Sequence, residues 1–133
     1  MEANETKSRI VTLTDQPPVK IREADWPTIA AADWIDHDNR YEFQANRKWK
    51  LWIKVRRHAD GRTLVYGGYL YDTCFQGERD IVEKRGTLLD AGGDVIGAIR
   101  EVGADLGQVC ETAAEHERSV VQQCIASLPA EDI

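Results

Sequence analysis

The stretch NRKWKLWIKVRRHADGR, Asn46 to Arg62, gathers seven Lys and Arg against one Asp in a chain whose net charge is −6. Cations repeated along one segment hold phosphates or carboxylates, and an aromatic ring among them offers a flat partner to a base or an anchor to a protein. The candidate binding residues are Lys48, Lys50, Trp52, Lys54 and Arg56, with Tyr66 on the next segment. Arg47, Arg57 and Arg62 reinforce the charge near the ends. A plainer explanation is a solvated strand face, where lysines discourage edge pairing and their stems shelter a tryptophan.

Other chemistry-bearing groups are sparser. DWIDHDN brings together Asp33, Asp36, His37 and Asp38, but lacks the central Gly and closing Glu of a calcium loop, so it reads as a polar turn. Cys110, Cys124 and His116 lack a zinc-ligand spacing. The glycines of LLDAGGDVIGAI fit neither GxGxxG nor a P-loop, and Asp94 puts a negative charge where a phosphate would sit. Cys74 would need His58 or His37 as a base, and Asp72, Glu78 and Asp80 cluster near the same loop. No catalytic residue, metal or cofactor is expected from these patterns.

The basic residues need a scaffold. Trp49, Leu51, Ile53 and Val55 alternate with Lys48, Lys50, Trp52, Lys54 and Arg56, the pattern of a strand with one buried and one wet face. Asp60-Gly61 marks a hairpin, and TLVYGGYLYDT (Thr63–Thr73) returns. A three-residue Ala-Asp-Gly loop sets Val55 against Val65, Leu51 against Tyr69 and Lys54 against Tyr66; a two-residue loop would set Trp52 against Tyr69. Gly67 and Gly68 suggest a bulge or a close backbone approach.

RIVTLT (Arg9–Thr14) and VKIR (Val19–Arg22) read as hairpin partners around DQPP, and Asp25–Pro27 as a turn before an extended segment. Asp36–Arg40 reads as a polar turn, YEFQA (Tyr41–Ala45) as a strand, and Asp80–Leu89 as another. The period then changes. Asp94 caps a helix striped by Ile96, Ile99, Val102, Leu106 and Val109, in which Gly103 and Gly107 permit close packing on the sheet. TAAE (Thr112–Glu115) is a capping box for a second helix, stopped by Pro129. The expected fold is α+β: an antiparallel meander of about five strands, then two C-terminal helices packed on one sheet face. Residues 1–8 are expected to fray, and 9–133 to form one domain with its sheet in 9–89 and helices in 94–128.

With 133 residues, 42% of them apolar, and four Trp, the chain can bury a core. No apolar run approaches the roughly 18 residues of a membrane span, and the polar N-terminus lacks a signal-peptide pattern. Three scattered Cys fit reduced thiols, so a cytoplasmic location and no membrane partner are expected. Charge is unevenly spread. Asp94–Ile133 holds eight acidic and two basic residues, opposing the basic ribbon.

READWPTIAAADW, FQANRKWKLWIKVRRHADGRTLVYGGYLYDT, FQGE and LLDAGGDVIGAIREVG together resemble a group of small bacterial proteins carried on plasmids and integrative elements, over roughly residues 20–105. That group has no assigned activity. The resemblance implies an accessory gene product in a bacterial cytoplasm and carries over no site residue. The leading expectation is a non-enzymatic binding protein that presents its basic, aromatic sheet face to an acidic protein or a nucleic acid. Two alternatives are an inhibitor of a host defence or regulatory complex, acting through Glu111, Glu115 and Glu117, and a small enzyme built on Cys74 or the acidic loop.

Overall fold

A computed structural model describes residues 7–38 and 46–130. It has the expected α+β order, with six antiparallel strands in two sheets rather than one meander of about five. Strands β1 (Ser8–Val11) and β2 (Val19–Arg22) form a two-stranded ribbon, because Pro17 and Pro18 forbid pairing at the turn between them. A single 3-10 turn at Glu23–Asp25 leads into the main sheet. That sheet is a meander of β3 (Thr28–Asp38), β4 (Arg47–Arg57), β5 (Thr63–Thr73) and β6 (Ile81–Leu89). Helices α1 (Val95–Gly107) and α2 (Glu111–Ala126) follow.

The central hairpin has the register of the three-residue loop. Val55 pairs with Val65, Leu51 with Tyr69 and Lys54 with Tyr66. Gly61 makes the turn at φ +96°, a conformation that side chains disfavour, and His58 N–H donates to the Arg62 carbonyl beneath it. Pairing runs unbroken through Gly67 and Gly68, so these glycines mark close approach and not a bulge.

Two expected boundaries move. Asp36–Asp38 do not turn but continue β3, since Asp38 pairs directly with Arg47 and the two form an ion pair at 3.4 Å. The rest of that expected turn and the Tyr41–Ala45 strand lie outside the described residues. The second helix starts at Glu111 with Cys110 as its N-cap, so Thr112 is not a cap. Buried Tyr69 lies near this start of α2, and its phenol is pushed well above its ordinary pKa by burial and then by Cys110. Asp94 does cap α1, accepting from Gly97 N–H at 3.0 Å.

The helices cover the face carrying Leu51, Ile53 and Val55, which are buried with Ile99, Val102, Leu106 and Val120. Gly103 serves the helix pair more than the sheet: a side chain there would run into Val121 of α2. Both sheet edges are partly sealed. Ala31 N–H on β3 donates to Ser127 Oγ at 3.3 Å, and Thr14 N–H donates to the Gly86 carbonyl on β6 at 2.9 Å.

Candidate anion-binding face

With the helices on one side, the other side of the sheet is a set of cross-strand rows fixed by the pairing. One row is Ile35, Lys50, Leu70 and Val82. The next is Asp33, Trp52, Gly68 and Lys84, and the next Ala31, Lys54, Tyr66 and Gly86. These rows divide the face into a covered half and an open half.

The covered half lies under the β1–β2 ribbon. Val11, Leu13, Ile21 and Trp26 pack there with Leu64 and Tyr66 in a second core. Two candidate binding residues fall inside it, and this corrects their expected exposure. Arg56 is 5% exposed: its Nε donates to Tyr66 Oη at 2.8 Å and its Nη1 to the Trp26 carbonyl at 3.0 Å. Tyr66 is equally buried. Strand alternation assigned both to the wet side, but the ribbon's apolar residues need a surface to bury against, and Leu64 and Leu88 supply it. Arg56 is therefore a structural cation. Its other neighbour is Glu23, 3.8 Å away. Partial burial alone would raise the Glu23 pKa, yet Arg9, Lys7 and Arg56 outweigh it and hold the carboxyl below its usual range.

The open half keeps Lys48, Lys50 and Lys54, all half-buried, and Trp52 stands at its border, half-buried and packed against the second core. The ammonium groups of these lysines have no ion-pair partner among the described residues. Burial, with Arg56 and Arg9 nearby, lowers the Lys54 pKa, the mark of a cation short of counter-charge. A groove of about 430 Å³ runs beside Trp52, lined by Arg9, Asp33, Lys50 and Lys54. Ile35 and Val82 stand 45% and 59% exposed on the same face, so apolar contact is on offer beside the charge. Arg9, Lys84 and the two aliphatic residues escape a one-strand reading. The alternation of β3 and β6, once registered against β4, points to Asp33, Ile35, Val82 and Lys84, whereas the position of Arg9 depends on how the ribbon docks.

The remaining candidates are dispersed. Cys74 is exposed and His58 half-buried, and they lie at opposite ends of the β4–β5 hairpin, separated by about 30 Å at the usual rise of a strand, so these two form no thiol–base pair. Cys124 is in the core, and His116 stacks on Trp34 with centroids 3.6 Å apart. Among the described residues no three His, Cys, Asp or Glu side chains converge on a metal position. Glu111 and Glu115 are exposed, while Glu117 folds against Gly107.

One dense polar network closes the far end of the hairpin. Arg47 Nη2 donates to Glu78 Oε2 at 2.8 Å, and Tyr71 Oη and Thr73 Oγ1 donate to Glu78 Oε1 at 2.6 and 2.7 Å. Phe75 lies under the Arg47 guanidinium at 3.9 Å. Arg47 thus pins the β5–β6 loop to β4, while Tyr71 and Thr73 tie it back to β5. Hydrogen bonds from Arg47, then Tyr71 and Thr73, pull the Glu78 pKa down to about 2. A carboxyl whose folded pKa is depressed stabilises the fold above its unfolded pKa of about 4.5, and that contribution is lost as pH falls through about 2. The stability difference between the wild type and Glu78→Gln is expected to be constant above about pH 5 and to shrink as acid approaches pH 2. Urea titrations at several pH values measure it; a difference that does not change with pH would remove the clamp.

No family model, curated protein or solved structure matches the chain significantly. No described helix is long and apolar enough to cross a membrane.

Proposed function

We propose that the protein is a non-enzymatic cytosolic binding protein that engages a polyanionic macromolecule through the open half of its outer sheet face. The observation that carries this reading is the series Lys48, Lys50 and Lys54 along the outer face of β4, interrupted by Trp52, with no ion-pair partner among the described residues. In the bacterial mobile-element setting that the sequence resemblance implies, it acts as an accessory factor.

The net charge of −6 does not oppose this. The acidic helices lie behind the sheet, about 10 Å away at ordinary layer spacing, and salt screens charges beyond about 8 Å at physiological ionic strength. The groove therefore feels its own lysines more than the helices.

The test is retention on immobilised heparin at about 150 mM salt, where the acidic helices are screened from the face. Wild type is expected to bind and to elute as salt rises. The triple change Lys48→Glu, Lys50→Glu and Lys54→Glu is expected to flow through, whereas Arg100→Glu with Arg118→Glu, on the helices, leaves retention unaltered. Passage of the wild type without retardation, or equal retention of the triple variant, rejects the reading.

A further inference from the structure

We propose, resting on the polyanion reading above, that the occupant is single-stranded nucleic acid, with one base stacked on Trp52 and flanking phosphates held by Lys50 and Lys54.

The placement of Trp52 is the first support. Its indole lies over Gly68, so close that a Cβ there would sit 2.9 Å from Nε1. Tyr66 meets the ring edge-on at 5.5 Å and 89°. Supported from beneath and along one edge, the indole separates two clefts. On one side are Asp33, Lys50 and Lys54, and on the other Thr12 and Lys84, with Arg9 reaching both. A preorganised aromatic surface flanked by cations is the minimal device for single-strand binding, since every base has a π-face.

The charge order along the strand is the second. Lys50, Trp52 and Lys54 succeed one another at about 6.6 Å, two residues of strand rise. Lys50 and Lys54 are thus about 13 Å apart, on the order of two phosphate steps of an extended single strand, with the base-stacking position at Trp52 midway between them. Asp33 pairs directly with Trp52, so the middle position repels an anion while its two neighbours attract one. An acidic peptide carries charge on successive residues and would set a carboxylate against Asp33. A nucleotide chain instead can place an uncharged base at Trp52 and its phosphates at the lysines. This order favours nucleic acid over an acidic protein.

The experiment compares three fluorescein-labelled probes by anisotropy at low salt: oligo-dT of ten residues, the same length of base-free deoxyribose phosphate, and deca-glutamate. Oligo-dT is expected to bind about tenfold more tightly than either other probe, the scale of one stacked base. Its affinity should fall with salt at a log–log slope of about −1.4, as two neutralised phosphates require. Trp52→Leu is expected to abolish the preference over the base-free strand, and Trp52→Phe to retain most of it, because a ring remains. Should the leucine variant fail to fold, the wild-type comparison still decides. Equal binding of the base-free strand overturns the stacking while leaving a polyanion surface; equal or tighter binding of deca-glutamate makes the occupant an acidic protein. Failure of all three probes, together with passage through heparin, removes the underlying reading too.

Discussion

Urea denaturation of the Arg56→Ala variant is expected to show a loss of about 3 kcal/mol, one of the two largest effects anticipated for single substitutions here. The side chain links three elements at once: Tyr66 on β5, the Trp26 carbonyl before β3, and Glu23 in the turn after β2. Truncation leaves a buried hydroxyl and a buried carbonyl without that donor, and each such orphan costs about 1–3 kcal/mol. It also removes an aliphatic stem from the second core. Tyr66→Phe should cost less, about 1 kcal/mol, since it deletes one hydrogen bond and keeps the ring. Because both changes break the same bond, the double variant should lose less than the sum of the single losses. A loss below about 1 kcal/mol for Arg56→Ala would mean that the guanidinium is solvated and the ribbon does not cover it.

A comparable loss is expected from Gly67→Ala, for a different reason. Gly67 faces the helices, and a Cβ there would strike the Trp52 carbonyl oxygen and crowd Leu106. The first obstacle is backbone of the neighbouring strand, which cannot swing away as a side-chain tip can. Relief requires β4 and β5 to part or α1 to lift, so the cost is about 3 kcal/mol, at the upper end of the usual range for overpacking. Thermal melting gives the check; a melting temperature within a degree or two of wild type would show that the strands separate freely at this point.

The central hairpin was legible in the sequence because two independent constraints agree on it. Asp60-Gly61 restricts the turn, and alternation in KWKLWIKV makes only one register bury Leu51, Ile53 and Val55 together. Helix α1 was legible through its cap and stripe, with Asp94 and Ile99 each placed as expected. The docking of the ribbon was not. Alternation sorts residues into two faces but is silent on how much of a wet face a distant segment covers, so Arg56 and Tyr66 were expected to be exposed beside Lys54. A trace of the answer was present. Leu64 and Leu88 occupy outer-face positions where a solvated strand would carry polar residues. The expected cap at Thr112 gives way to Cys110, two residues earlier, where the chain enters α2 beside buried Tyr69. Local motifs cannot register such surroundings.

The opposed placement of lysines on the sheet and acids on the helices gives the molecule a permanent electric dipole directed across its thickness. In the field of a long polyanion such a particle experiences a torque as well as an attraction. It would rotate during approach so that Trp52 leads, and fewer collisions would be wasted on the wrong side. Under the proposed polyanion reading this torque reaches furthest in dilute salt, where the screening length exceeds the thickness of the domain layers, and fades as salt rises.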